Sequence, residues 1–303
     1  MTANTTPDGQ LTTRILGLAT VTVSSPGLYF NISAFSHFLS TPKTSFFILC
    51  LSKTVSNSLI LLIHLLYNGP CGILYTIIGS EELNGLLNQA VAYGIYVIGP
   101  LTQTLASLNR FLVVWMSPTS IPRYSNHVTV AALLIIWLIG IFLSILPAEN
   151  CIIIVELNPF EWGLPCYNDF YFIVIDGFLY FVMTLGIISN GFNVLVVIKL
   201  VITAMKNKSI SSESSRRRHK TTVRLFIQSC IQDGIYVIDM INSLYIAFAI
   251  ENPIPRFLVT LGSSVLIHAT DGFVLFIFHR KPEKIKKTST VSATPKVSRV
   301  SMA

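Results

Sequence analysis

The side chains most able to do chemistry in this 303-residue chain are the few charges that lie inside long apolar stretches. Four of them are Lys53, Asp233, Asp239 and Asp271. A charge in the middle of a bilayer costs about 3 kcal/mol, so it needs a partner or a wet cavity. If the apolar stretches cross a membrane, these residues indicate a function that is carried out inside the bilayer.

Lys53 and Asp271 are expected to form an ion pair. Each lies about two helical turns from the predicted inner end of its apolar stretch. At 1.5 Å per residue, both side chains lie about 11 to 12 Å deep. Asn31 and Asn57 are expected beside them, which would make a polar network. The alternative is that Lys53 extends to the inner surface and Asp271 caps local backbone.

A second group of side chains could line a pocket between helices. Asp239, Asn242 and Tyr245 follow one another at three-residue spacing, which predicts a polar stripe on a helix. Aromatic and polar groups of this kind suit a small organic ligand. Hydrogen bonds between helices explain the stripe equally well. The pocket candidates are His64, Tyr93, Tyr96, Asp176, Asp239, Asn242, Tyr245 and His268.

The composition supports a membrane protein. The chain is 52% hydrophobic and 12% charged, with a mean hydropathy of +0.65, whereas soluble domains carry about 25% charged residues. So few polar residues cannot cover a soluble globule of this size. The cysteine and histidine spacings suggest no metal site, and no nucleophile motif suggests an enzyme. We therefore expect no cofactor and no nucleic-acid partner.

Seven apolar segments are long enough to cross a bilayer, because a core of about 30 Å needs about 20 helical residues. They are residues 14–35, 46–67, 86–115, 128–147, 170–201, 223–250 and 257–279. The sequence therefore predicts an all-α membrane protein. Its seven-transmembrane helix bundle would cover residues 14–279, between an N-terminal segment (1–13) and a tail (280–303).

The basic residues predict the orientation of this bundle. All but two of the 21 lysines and arginines lie on one predicted face, and the exceptions are Arg14 and Arg256. Short loops rich in lysine and arginine stay in the cytosol. We therefore expect an extracellular N-terminus, a cytosolic C-terminus and a multi-pass protein of the plasma membrane. Arg216, Arg217 and Arg218 would lie on the cytosolic face and attract anionic membrane lipids.

The cysteines allow one extracellular disulfide. Cys151 and Cys166 lie in the same predicted extracellular loop, where an oxidising environment permits a bridge. Cys71 lies near the same surface and is a competing partner. Asn4 begins an Asn-Thr-Thr sequon on this side, so a glycan is conceivable there.

Four short motifs follow one another along the chain. They are "SFFILCLSKTVSN" at 45–57, "LNRFLVVWMSPTSIPRYS" at 108–125, "RLFIQSCIQD" at 224–233 and "HATDGFVLFIF" at 268–278. In order and spacing they resemble the nematode serpentine receptor class x (Srx) chemoreceptors, which are rhodopsin-like G-protein-coupled receptors. The resemblance covers about residues 27–287. It implies a chemosensory receptor of a sensory cilium, with a small-molecule ligand such as an odorant and a heterotrimeric G protein as partners.

The resemblance also implies roles for individual residues. Asn109, Arg110 and Tyr124 would take part in G-protein coupling at the cytosolic face, together with the three arginines at 216–218. Rhodopsin-like receptors usually have an acid before this arginine, whereas this chain has the neutral Asn109. Any contact that locks Arg110 in a resting state should therefore be weaker or come from another helix.

Two other functions remain as alternatives. A ligand-gated channel has been considered for seven-span receptors of inverted topology, but the basic loops argue against inversion here. An ion-coupled transporter could use the charges inside the spans. The lack of an internal sequence repeat argues against that alternative.

Overall fold

The computed structural model describes residues 7–116, 125–145, 152–163, 169–206 and 213–279. Within these residues it contains eleven α-helices, three π-helical turns and one β-hairpin. The α-helices are α1 (Pro7–Ser40), α2 (Ser45–Ile63), α3 (Gly69–Leu74), α4 (Glu81–Gln89), α5 (Ile95–Trp115), α6 (Ser125–Ile145), α7 (Asp169–Lys206), α8 (Glu213–Ile241), α9 (Ala247–Ala249), α10 (Pro253–Val259) and α11 (Leu261–His279). The strands are β1 (Ile154–Leu157) and β2 (Phe160–Gly163).

These helices group into seven spans. Span one is α1, span two joins α2 and α3, and span three joins α4 and α5. Spans four and five are α6 and α7, span six joins α8 and α9, and span seven joins α10 and α11. Spans one to five and span seven are long and apolar enough to cross a membrane.

Span six is helical as well, but polar residues lower its hydropathy. Gln228, Ser229, Gln232 and Asp233 are all buried, so they face the bundle and not its surroundings. Ile227, Ile231 and Ile238 are among its exposed residues. The helix therefore presents an apolar surface outward and keeps its polar side chains inside.

Several helices begin earlier than the apolar pattern predicts. Helix α1 begins at Pro7 and not at residue 14, with Asp8 in its first turn. Proline and an acid both favour a helix N-terminus. Helix α4 begins at Glu81 and not at residue 86, because the Ser80 hydroxyl accepts a hydrogen bond from the Leu83 amide. Apolarity marks the membrane segment, whereas the capping residues mark where the helix begins.

Three spans are interrupted by a π-helical turn. The turns cover His64–Asn68 in span two, Ala90–Gly94 in span three and Asn242–Ile246 in span six. Each closes with a hydrogen bond that spans five residues, for example from Gly69 N to His64 O. In span two the turn ends two residues before Pro70, which has no amide hydrogen to donate to a regular helix.

Spans one and two are in close contact through glycines. A Cβ atom added to Gly17 would lie 2.6 Å from the Ile73 amide nitrogen and 2.8 Å from the Gly69 carbonyl oxygen. A Cβ atom added to Gly72 would likewise lie 2.9 Å from the Gly17 Cα. Small residues let helix backbones approach closely within a membrane, where packing and not the hydrophobic effect drives association.

The β-hairpin covers one end of the bundle. Its antiparallel strands pair Val155 with Trp162, and Phe160 packs into a core cluster with Leu16, Phe257 and Leu261. The rings of Phe160 and Phe257 are stacked with centroids 5.7 Å apart. We refer to this end as the hairpin end and to the opposite end as the Arg110 end.

A partly buried ion pair also joins the hairpin to span seven. Arg256 Nε lies 2.6 Å from Glu161 Oε2. Burial raises the pKa of Glu161, and the nearby Arg256 charge opposes that rise. The hairpin is therefore held by an ionic contact as well as by its apolar residues.

Candidate functional site

Lys53 and Asp271 form an ion pair in the middle of the bundle. Lys53 Nζ lies 2.9 Å from Asp271 Oδ1. The two residues are only 3% and 1% exposed, so Lys53 does not extend to the surface and Asp271 is not a local cap. Two buried opposite charges in direct contact offset much of the cost that either would carry alone.

Asp271 also accepts hydrogen bonds from two amides. Asn57 Nδ2 donates to Asp271 Oδ2 at 2.6 Å, and Gln232 Nε2 donates to Asp271 Oδ1 at 2.7 Å. Asn31 lies alongside, with its Oδ1 3.3 Å from Asn57 Nδ2. The carboxylate thus joins spans two, six and seven, and Asn31 adds span one.

Span three enters the network through Gln103. Lys53 Nζ donates to Gln103 Oε1 at 2.9 Å, and Gln103 Nε2 donates to Ser229 Oγ at 3.3 Å. Lys53 Nζ also lies 5.4 Å from the ring centroid of Tyr236. The sequence reasoning missed Gln103, although a glutamine inside an apolar segment is a signal of buried hydrogen bonding.

Arg110 lies toward the opposite end from the hairpin and contacts span six. Its Nη1 donates to the Leu225 carbonyl oxygen at 3.0 Å, and its Nε donates to the Ala106 carbonyl oxygen at 3.1 Å. The residue is 8% exposed, whereas Asn109 is half-buried. The interhelical hydrogen bond of Arg110 therefore uses a backbone carbonyl of another helix and not an adjacent acid.

A short relay connects Arg110 to Asp233. Arg110 Nη2 donates to Ser107 Oγ at 3.3 Å, and Ser107 Oγ lies 2.8 Å from Ser189 Oγ. Asp233 Oδ2 accepts from Ser189 Oγ at 3.0 Å and from Asn193 Nδ2 at 2.9 Å. The relay holds spans three, five and six together in the half of the bundle that contains Arg110.

Asp239 links helices in the half of the bundle nearer the hairpin. Tyr96 OH donates to Asp239 Oδ2 at 2.7 Å, and Ser263 Oγ donates to Asp239 Oδ1 at 2.7 Å. The carboxylate thus makes hydrogen bonds between helices, which is the alternative explanation for this residue. The Tyr96 ring is perpendicular to the His268 ring, with centroids 5.9 Å apart.

The prediction that Tyr245 lies on one polar stripe with Asp239 and Asn242 is wrong. Asp239 is buried and Asn242 half-buried, but Tyr245 is 61% exposed. The π-helical turn over Asn242–Ile246 explains the difference, because its wider turn rotates the following residues away from α-helical positions. Tyr245 is therefore not part of a pocket between the helices.

The other pocket candidates in this half are buried. His64 is enclosed with its Nδ1 3.1 Å from Asn68 Nδ2. Tyr93 packs edge-on against Phe178, with ring centroids 4.8 Å apart. Both lie in π-helical turns, which are frequent at functional sites.

Some predicted residues fall outside what the structure describes. Tyr124, Cys151 and Cys166 lie outside the described residues, and Asp176, Arg216, Arg217 and Arg218 lie in helices where their side chains are not described. Cys71 is a buried free thiol whose Sγ accepts a hydrogen bond from Ile78 N at 3.4 Å. A disulfide to Cys71 is therefore not formed.

A family model described as the serpentine type 7TM GPCR chemoreceptor Srx matches residues 21–279. The chain belongs to the Srx family. That match includes the Lys53–Asp271 pair, Arg110 and the three π-helical turns. The polar span six thus completes the seven transmembrane spans of an Srx receptor.

Solved structures show the same fold. Among them, squid rhodopsin superposes with a TM-score of 0.72 and 12% sequence identity, covering 91% of this chain and 84% of the rhodopsin chain. At this identity the likeness shows the fold alone. No curated protein sequence matches the Srx chain.

Proposed function

We propose that this Srx protein is a chemosensory receptor that binds a small molecule near the hairpin end and activates a heterotrimeric G protein at the Arg110 end. The buried network between these two regions is the observation that carries the proposal. It contains the Lys53–Asp271 pair and extends in both directions through residues of several spans.

The network offers a route for ligand binding to affect the opposite half. His268 Nδ1 lies 2.9 Å from Asn57 Oδ1, and Asn57 donates directly to Asp271. A ligand that contacts His268 or Tyr96 would change this group of hydrogen bonds. Binding shifts the receptor between two states only if the ligand has different affinity for each of them.

The contact between Arg110 and Leu225 is the element that must break for activation. It ties the beginning of span six to span three, so a crevice for a G protein opens when the carbonyl is released. Asn109, Arg110, Tyr124 and the arginines at 216–218 form the proposed coupling surface. A contact to a neutral carbonyl is weaker than a buried ion pair, which favours ready release.

The distribution of basic residues supports the orientation that this function needs. With the positive-inside rule, the Arg110 end faces the cytosol and the hairpin end faces outward. The receptor would then lie in the plasma membrane, with the basic side chains near anionic lipids. The loop with Cys151 and Cys166 would be extracellular, where their disulfide could form.

Nucleotide exchange measured together with membrane current tests the proposal. The receptor is co-expressed with candidate Gα subunits and exposed to volatile organic compounds. We expect compound-driven nucleotide exchange without added current. A compound-driven current without exchange would favour the channel alternative and contradict the receptor function.

Replacement of Asn109 by Asp tests the role of the neutral residue before Arg110. An aspartate would hold the guanidinium with an adjacent charge and keep it from the G protein. We therefore expect Asn109→Asp to lower basal exchange several-fold, because a charged hydrogen bond contributes about 1 kcal/mol more than a neutral one. Asn190→Asp, on span five, is the control, and unchanged basal exchange in Asn109→Asp would contradict the assigned role.

A further inference from the structure

A series of hydrogen bonds runs along span six from the central ion pair toward the Arg110 end. Gln232 Nε2 donates to Asp271 Oδ1 at 2.7 Å, and Gln228 Nε2 donates to Gln232 Oε1 at 3.3 Å. Gln228 Oε1 lies 3.1 Å from Nε2 of His279, the last residue of helix α11. Both glutamines are buried. We refer to Asp271, Gln232, Gln228 and His279 as the amide relay.

The Asp271 carboxylate fixes the direction of every hydrogen bond in the relay. It is paired with Lys53, and a carboxylate accepts but does not donate. Gln232 must therefore present its amide nitrogen to Asp271, which leaves its oxygen to accept from Gln228. The Gln228 oxygen then faces His279, so His279 Nε2 must carry a proton and donate it. The hydrogen bond that a histidine ring makes determines which nitrogen is protonated.

This fixed polarity makes the two ends of the relay depend on each other. If Asp271 moves away, Gln232 loses the acceptor that orients its amide. Rotation of that amide would bring its nitrogen toward the Gln228 nitrogen, so that two donors would face each other. A buried donor without an acceptor is costly, so Gln228 would have to turn as well and would lose its contact with His279. A change at the ion pair is thereby felt at the end of span seven.

The His279 ring is held by aromatic side chains of spans one and two. Its centroid lies 4.8 Å from that of Phe38 and 6.1 Å from those of Phe46 and Phe47. The Phe46 ring also lies 5.9 Å from Arg110 Cζ. Span six is therefore tied, through its hydrogen bond to His279, to three other spans at the Arg110 end.

The beginning of span six is held on two sides. Toward span three, the Leu225 carbonyl accepts from Arg110. Toward span seven, Arg224 Nη2 donates to the Ile277 carbonyl oxygen at 3.4 Å, one turn before the relay contact. Release of the Arg110 contact alone would leave span six attached to span seven. Opening of a crevice therefore requires that the contact with span seven breaks as well.

We propose that Gln228, Gln232 and His279 are positioning residues for G-protein coupling: the amide relay holds span six against span seven until the central ion pair rearranges. This inference rests on the proposed function, and it adds a second contact that must break besides the one between Arg110 and Leu225. It also assigns a role to the two glutamines of the "RLFIQSCIQD" motif.

Nitrogen NMR of the histidine rings tests the polarity of the relay. The full receptor in lipid nanodiscs carries isotope-labelled histidine, and the His279 signals are those that are missing from His279→Gln. We expect a hydrogen-bonded proton on His279 Nε2. A ring with its only proton on Nδ1 would overturn the inference. This measurement is made on the unaltered receptor, so it decides the question even if a relay variant fails to fold.

Replacement of Gln232 by Leu tests whether the end of the relay responds to its centre. Gln232 reaches His279 only through Gln228, so Gln232→Leu should shift the His279 ring signals. Gln89→Leu removes a hydrogen-bonded amide of span three at the hairpin end, and this control should leave those signals unchanged. Unchanged His279 signals in a folded Gln232→Leu receptor would overturn the inference.

Basal nucleotide exchange tests the positioning role of His279. His279→Phe keeps an aromatic ring but removes the donor, so basal exchange should rise about fivefold, as expected for one lost hydrogen bond. His279→Gln restores a donor and should lower exchange again. His37→Phe, on span one beside His279, is the control with the same chemical change and should have no effect. The positioning role is wrong if His279→Phe folds and leaves basal exchange unchanged.

Gln228→Leu removes the same contact from the other side. It should raise basal exchange to a similar extent as His279→Phe. The double variant should be no more active than either single variant, because residues that share one contact are not additive. Independent, multiplied effects of the two substitutions would show that the residues act separately, which contradicts the relay.

The two readouts separate this inference from the proposed function. If the His279 signals respond to Gln232→Leu but no Gα shows any nucleotide exchange, the hydrogen-bonded relay stands and the coupling function fails. If compounds drive exchange but neither His279→Phe nor Gln228→Leu alters it, the receptor function stands and the relay fails.

Discussion

Lys53 and Asp271 depend on each other at the scale of single residues. Breaking a buried ion pair by removing one partner costs about 3 to 5 kcal/mol, because the remaining charge is left without compensation. We expect Lys53→Asp and Asp271→Lys each to reduce surface expression strongly. The double exchange should recover only part, because Asn57 and Gln232 would then donate toward a lysine at position 271.

Surface expression and thermal unfolding of the four combinations measure this coupling. Arg14→Asp, which changes an exposed basic side chain, is the control for the change of charge alone. If the double variant is no better than either single variant, the pair does not contribute to stability in the way its geometry indicates.

Asp239 accepts hydrogen bonds from two uncharged hydroxyls, so the loss of a partner should cost less stability than it does for the Lys53–Asp271 pair. Tyr96→Phe removes one of the two hydroxyls that bind the carboxylate, and Ser263→Ala removes the other. Each should lower the stability of the detergent-solubilised receptor by about 1 to 3 kcal/mol, because a buried acceptor loses its donor. Thermal unfolding measures the effect, and Tyr29→Phe on the exposed face of span one should change little. An unchanged unfolding temperature in Tyr96→Phe would show that this hydrogen bond does not contribute to stability.

At the scale of elements, the contact between spans one and two predicts opposite effects for two glycines. Gly17→Ala places a Cβ within 2.6 Å of the Ile73 backbone and should destabilise by about 1 to 3 kcal/mol. Gly191 in span five has open space around its Cα, so Gly191→Ala should stabilise by up to about 1 kcal/mol. The difference in unfolding temperature measures the cost of separating the helices. Equal behaviour would contradict the close contact.

The elements also show how far the sequence could be interpreted. The apolar segments identified the helices that cross the membrane, since hydropathy depends only on composition over about 20 residues. The pairing of Lys53 with Asp271 could be predicted because the position of a residue along an apolar helix gives its depth in the bilayer. The hairpin and its hydrogen bonds with Asn84 and Asn88 could not be predicted, because they depend on a loop that folds back over the bundle. The position of Tyr245 was wrong because a local π-helical turn changes the helical phase.

At the scale of the whole molecule, the orientation makes a prediction about glycosylation. Asn4 and Asn207 both begin sequons, but only Asn4 is expected on the extracellular side. We expect a glycosidase to shift the electrophoretic mobility of the full chain, and Asn4→Gln to remove that shift. Asn207→Gln is the matched control and should leave it intact. A shift that depends on Asn207 would mean that the bundle is inverted.

The π-helical turns affect how residue positions are compared between receptors. Each turn inserts about one residue relative to a continuous α-helix, and the inserted residues lie at 64–68, 90–94 and 242–246. A position transferred by counting from Lys53 or Asp233 in a receptor without these turns will therefore fall on a neighbouring helix face beyond them. With 12% identity to squid rhodopsin, residues in the half nearer the hairpin should be matched by three-dimensional superposition. Mutagenesis planned by sequence offset alone would test the wrong side of the helix.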